Sequence, residues 1–196
     1  PFDSNYDAIL IGSGDRENPL DVTIQNHFFM IKDLHGVNAL PSTPLLMTDL
    51  YDATSSYTVP ADARGWRFAL STGEKVVTGA TTLNGATFFS TNRPESTLPT
   101  GGSCTAGLGE ARDYVVNFRT SGPITDFNVS GTLTVEDRFE VRPGGGFPPS
   151  PIGVTVCDGL SKCSEVVLSG SKASPPPGAP LGRRYRSFWN ILTERK

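Results

Sequence analysis

The strongest constraint on this chain is an internal repeat: an apolar run that breaks into a small-residue turn occurs three times at nearly constant spacing. It reads AILIGSGD at residues 8–15, ATFFSTN at 86–92 and EVVLSGS at 165–171. The serines that close the apolar runs, Ser13, Ser90 and Ser169, are separated by 77 and then 79 residues. So even a period points to one supersecondary unit used repeatedly rather than to three unrelated strands. Each unit continues through a variable polar insert into a second strand rich in aromatics, at residues 26–33 (NHFFMIKD), 111–120 (ARDYVVNFRT) and 183–190 (RRYRSFWN). Two of these strands run into a glycine turn, at Gly36 and Gly122. Radially repeated antiparallel sheets build β-propellers, and blades swollen by loop inserts exceed the roughly 40–50 residues of compact propeller repeats. The expected fold is all-β, a partial β-propeller of about two and a half to three blades with long inserts.

Composition matters to this argument mainly through what it excludes. A chain of 196 residues makes one domain of ordinary size. Its 21 glycines and 16 prolines concentrate in places such as 143–151 and 175–180, which read as rigid connectors. No stretch of a dozen residues keeps a helical apolar period free of Gly, Pro or β-branched residues, whereas short Val/Ile/Phe/Thr runs bounded by turn residues occur throughout. A net charge of −3 with mixed signs argues against a nucleic-acid partner, which calls for a concentrated basic face. The basic cluster of Arg183, Arg184 and Arg186 alternates with Tyr185 and Ser187 and fits the solvated side of a strand. There is no apolar run of about 18 residues, so no membrane span is expected. The chain begins at Pro1 without a signal-like stretch, which is expected of a piece cut from something longer.

Cys157 and Cys163 flank the polar turn at 158–162 (DGLSK) and lie at the ends of two strand-like runs. Hairpin partners held that close reach the Cα separation a disulfide needs, so the two are expected to be bridged in an oxidising compartment. Cys104, in the loop 101–107 (GGSCTAG), is left over, and its expected partner is a residue outside this chain.

Residues 6–20 (YDAILIGSGDRENPL), followed by 26–33, resemble the C-terminal propeller of the PilY family of type IV pilus biogenesis and pilus-tip adhesin proteins. Further matches follow in order at 50–54 (LYDAT), 65–70 (GWRFAL), 73–76 (GEKV) and from Cys104 into 109–114 (GEARDY). The likeness covers nearly the whole chain, so residues 1–196 read as the C-terminal part of a PilY-like, quinoprotein-like propeller domain. The resemblance implies a non-enzymatic role in supporting pilus extension and attaching the pilus tip to a host or abiotic surface. It also implies contact with minor pilins, and a location at the cell surface or pilus tip after passage through the periplasm. The remaining blades of a larger disc, or self-association, would cover the outer strands. The calcium loop of the family is an aspartate-rich segment in an earlier blade that nothing here matches. No cofactor is therefore expected in this segment, and calcium belongs to parts upstream.

The residues themselves give a structural reading of the same motifs. Gly12 and Gly14 are expected to take backbone conformations that a β-carbon would hinder, Asp15 to bond nearby amides, and Pro19 to stop ladder pairing. Asp15, Glu17 and Asp21 lack the spacing of a calcium loop. Asn84-Gly85 between residues 76–83 and 86–90 signals a two-residue hairpin with positive φ at both positions. Asn128-Val129-Ser130 fits a glycosylation sequon that a bacterial family makes irrelevant. Trp66 and Trp189 are expected to fill space between blades rather than form an exposed carbohydrate platform. His27 and His35 have no nucleophile or metal-ligand pattern around them, and the cysteines have no zinc spacing. The competing functions are a carbohydrate-binding, lectin-like β module and, behind it, a quinoprotein-like oxidoreductase.

Overall fold

The computed structural model describes residues 6–34, 43–95, 107–157, 163–170 and 172–174. These form twelve strands: β1 (Tyr6–Gly12), β2 (His27–Leu34), β3 (Tyr51–Asp52), β4 (Gly65–Ala69), β5 (Lys75–Val76), β6 (Thr81–Leu83), β7 (Ala86–Arg93), β8 (Glu110–Asn117), β9 (Phe139–Arg142), β10 (Ile152–Cys157), β11 (Cys163–Ser169) and β12 (Lys172–Ser174). Helical structure among the described residues is confined to two short 3-10 turns, Met47–Asp49 and Val135–Arg138. The protein is all-β.

The repeat read from the sequence becomes paired strands. In the first unit β1 pairs antiparallel with β2, with Gly12 opposite Phe28; in the second β7 pairs antiparallel with β8, with Phe89 opposite Tyr114. The third apolar run is β11. Its aromatic companion at 183–190 lies outside the described residues, as do Gly36, His35, Cys104, Trp189 and residues 96–106 of the second insert.

Three sheets result. The first has the order β1-β2-β4-β3, the second β5-β7-β8-β9 with β6 also on β7, and the third β10-β11-β12. They stack face to face because β7 is apolar or small on both sides, and only Arg93 at its end is exposed. Phe89 of β7, with Tyr114 and Val116 of β8, packs on Phe28, Met30, Trp66 and Phe68 of the first sheet. The rings of Phe28 and Phe89 are parallel with centroids 3.8 Å apart. On the opposite face, Ala86 and Phe88 of β7 and Val115 of β8 meet Val167 of β11. Period-two alternation puts these two sets on opposite sides of one strand pair. Trp66 is completely buried in the first interface and donates from Nε1 to the Phe118 carbonyl at 3.0 Å, as the interior reading anticipates.

Apolar residues stay exposed on both outermost faces of the stack. On the first sheet Ile9 and Ile11 are about half exposed, opposite Ile31 and Phe29. On the third, Ile152 and Val156 are similarly exposed, beside Val154, Val166 and Leu168.

Several local expectations change in detail. Gly12 and Gly14 are needed for close approach, not for positive φ: a Cβ on Gly12 meets Val76 Cγ2 at 2.2 Å, and one on Gly14 meets Lys75 Cβ at 2.8 Å. The turn at Gly122 takes its positive φ at Ser121 (φ 59°), so glycine is not the residue that bends it. The run 76–83 is two strands, because Val77 and Thr78 leave the ladder to bond Ser90. The hairpin at Asn84 and Gly85 forms as read, with φ of 51° and 84°.

Candidate functional site

Two polar clusters and a cavity stand out around the central sheet. The first cluster centres on Glu74, which the chain buries completely. Its Oε1 accepts from Thr91 Oγ1 at 2.5 Å and Tyr114 OH at 2.9 Å; its Oε2 accepts from the Ser71 amide and Arg112 Nη1, both at 2.9 Å. Burial pushes the Tyr114 phenol well above its ordinary value, and the neighbouring carboxylate adds to that push. For Arg112 burial works against the charge, but Glu74, Tyr114 and Glu110 together outweigh it and raise the guanidinium above its usual value. Four donors surround one carboxylate, so this is a structural clamp joining the segment before β5 to β7 and β8.

A second buried cation, Arg138, leaves the turn Val135–Arg138 and donates to the carbonyls of Ser121 at 2.9 Å, Ala53 at 2.7 Å and Thr54 at 3.2 Å. Its guanidinium lies 4.7 Å from the centre of the Phe68 ring. Burial lowers its pKa to about 10. Sequence reasoning singled out neither Glu74 nor Arg138. The one available signal was a charged residue amid strand-like apolar runs, as in 73–76 (GEKV).

The cavity lies between the second and third sheets and has a volume of about 420 Å³. Phe88, Val115, Phe127 and Val167 form apolar walls, and Asp113, Glu140 and Lys172 sit on the rim. The charges are spent on one another. Asp113 accepts from Ser90 Oγ at 2.6 Å and pairs with Arg142 at 2.7 Å, Arg142 reaches Ser169 Oγ at 2.6 Å, and Lys172 pairs with Glu140. Ser90 and Ser169, the serines that mark the repeat, thus become the polar stitch between the two sheets. A cleft with apolar walls and neutralised charges suits an apolar group of modest size. No protein-family model, curated protein or solved structure matches the chain.

The residues weighed at the sequence level fall as follows. Cys157 and Cys163 are bonded, at the end of the β10–β11 ladder, with Cα atoms 4.0 Å apart. A formed disulfide fits an oxidising compartment. Asp15 accepts from the amides of Glu17 and Asn18, and Asp21 from Thr23, so these carboxylates hold their own loop. Among the described residues no group of His, Cys, Asp and Glu is arranged to hold a metal ion. His27 opens β2 beside the Phe29 ring, and burial with the nearby Arg67 lowers its pKa. Val129, within Asn128-Val129-Ser130, sits in a tight turn with φ 57°. No described helix is long and apolar enough to cross a membrane.

Proposed function

We propose that this chain is a section of a β-propeller of the PilY kind and acts as a non-enzymatic scaffold in type IV pilus assembly and at the pilus tip. The observation that carries the reading is the stack itself: three sheets in chain order, the central strand β7 buried on both faces, with apolar residues still exposed on both outer faces. Successive blades of a disc have that relation, and further blades are the natural cover for the two outer faces. The motifs at 6–20, 50–54, 65–70 and 109–114 supply the link to the family. Buried clamps such as Glu74 suit a rigid frame, and binding residues then belong to the inserts the frame displays. Minor pilins and a surface ligand are the proposed partners, and the Cys157–Cys163 bridge accords with a location outside the cytoplasm.

Deleting the encoding gene in the organism that carries it, then counting surface pili and measuring attachment, tests the proposal. Loss of pili, restored by complementation, is expected. Unchanged piliation and attachment refute the pilus role.

A further inference from the structure

The insert between β8 and β9 carries a motif that the pilus reading does not use. Residues 126–137 (DFNVSGTLTVED) follow the twelve-residue pattern of a calcium loop, in which oxygen donors stand at positions 1, 3, 5, 7, 9 and 12 and a glycine makes the sharp turn at position 6. Asp126, Asn128 and Ser130 fill the first three donor positions, Gly131 the turn, the Thr132 carbonyl position 7, Thr134 position 9 and Asp137 the last. Ser130 stands where an aspartate or asparagine is commoner, and Asp137 where glutamate is; both remain oxygen donors.

The segment is also folded as such a loop. Gly131 takes the positive φ (83°) that the pattern asks of its glycine. The Asp126 carboxylate accepts from the amides of Ser130 at 3.1 Å and Gly131 at 2.8 Å, and Asn128 Oδ1 shares the Ser130 amide at 2.9 Å, so the side chains of positions 1 and 3 converge. Ser130 Oγ lies 2.9 Å from the Thr132 carbonyl oxygen, which makes the donors of positions 5 and 7 neighbours as well. Asp137, on the turn Val135–Arg138, reaches back to accept from the Thr134 amide at 2.8 Å and the Asn128 amide at 3.4 Å. The last position is thereby held against the start of the loop.

A separate observation calls for a cation. Asp137 is completely buried, yet no cation of the described residues stands against its charge. Hydrogen bonds, chiefly from the Thr134 amide, are all that favour its ionised form, and the neighbouring Arg138 turns to the carbonyls of Ser121, Ala53 and Thr54. Buried charges are paired or coordinate metals.

We propose that residues 126–137 bind one calcium ion through Asp126, Asn128, Ser130, the Thr132 carbonyl and Asp137. A donor set made wholly of oxygen selects a hard cation, and a loop of mixed carboxylate, amide and main-chain oxygens suits the flexible coordination of calcium better than the strict octahedron of magnesium. Only two of the donors are carboxylates, so no group of three acidic side chains forms here, and the affinity falls in the weak range of extracellular modules, Kd about 10⁻⁴–10⁻³ M. Binding is felt beyond the loop. Phe127 at position 2 packs on the cluster of β7, β8 and β11, and Arg138, just past position 12, ties the loop to the segment after β3.

Calorimetric titration of the EDTA-stripped chain with calcium chloride is expected to show one site in that range. Calcium at about 10 mM should raise the melting temperature by about 3–11 °C, and magnesium at the same concentration by less. Asp126→Asn and Asp137→Asn keep an acceptor for the loop amides but remove a charged ligand, and each should weaken calcium binding at least about tenfold. Ser130→Ala, at an exposed position, should shrink the calcium-induced rise even where a variant of buried Asp137 fails to fold. A chain whose heat and melting temperature ignore calcium overturns the inference. So does a rise that survives Asp126→Asn combined with Ser130→Ala, because the ion then sits elsewhere. The inference takes nothing from the pilus reading, and neither outcome bears on it.

Discussion

Replacing Glu74 by glutamine tests whether the central sheet depends on a buried charge or only on a buried shape. The substitution keeps the volume and one acceptor oxygen. The lowest-cost rotamer leaves Oε1 on the Ser71 amide and Arg112, and turns the new amide toward the Thr91 and Tyr114 hydroxyls, which can rotate to accept from it. Shape and hydrogen-bond count then survive, and the lost quantity is the negative charge facing Arg112 at 2.9 Å. Arg112 is itself only 12 % exposed at its side chain, so its cation stays out of water with the more exposed Glu110 as its remaining partner. Removing one member of a buried ion pair costs about 3–5 kcal/mol, and the preserved hydrogen bonds favour the low end, about 3 kcal/mol. For a chain of this length each kcal/mol moves the melting temperature by about 2–4 °C, so a fall of about 6–12 °C is expected. Urea unfolding should show a lower midpoint with an unchanged slope, the mark of a stability change rather than an altered denatured state. Combining Glu74→Leu with Arg112→Met should cost less than the two single changes together, since no unpaired charge is left behind. A Glu74→Gln variant within about 0.5 kcal/mol of the unaltered protein would refute the assignment of Glu74 as an electrostatic clamp.

Gly85→Val should destabilise by about 1–2 kcal/mol and Asn84→Ala by less: a Cβ at Gly85 meets nothing, so its positive φ alone sets the cost, and equal losses in thermal melts would contradict this. Arg138→Met removes the donor from three carbonyls and should cost about 3 kcal/mol in urea titrations, with Arg138→Lys recovering only part; full recovery by lysine would show that the guanidinium fork is unnecessary. The Asp137 carboxyl is held below the usual carboxylate range chiefly by the Thr134 amide, against the pull of burial. Its stabilisation is therefore present above about pH 4 and lost as pH falls through the lower folded value. Asp137→Asn should flatten the acid limb of the stability profile, and an unchanged limb would remove Asp137 from the account.

What was legible in the sequence is what local pattern encodes. The apolar runs at 8–15 and 86–92 and their aromatic companions announce β1, β2, β7 and β8, because alternation and β-branched residues leave no other local choice. Asn84-Gly85 and the two cysteines announce hairpins through turn chemistry and reach. What pattern does not encode is the partner of a polar residue far along the chain. Glu74 meets Tyr114 across 40 positions and Arg138 meets Ala53 across 85, so both read as ordinary surface charges until the sheets are stacked. The short strands β3 and β5 were equally silent, since two residues carry no period. The cleft between β8 and β11 arises from sheet packing and has no signature in any one segment.

The burial of β7 on both faces also sets the order in which the molecule comes apart. Fluctuations that lift the first sheet leave β7 covered by the third, and the reverse opening leaves it covered by the first. Its amides become reachable to solvent only when both neighbours are gone, which for this strand approaches global unfolding. Deuterium uptake should therefore be graded outward from β7 and β8, earliest in β10 and β12. The same gradient says where a protease first gains purchase: on the end sheets, one layer at a time, with the Phe28–Phe89 stack surviving longest.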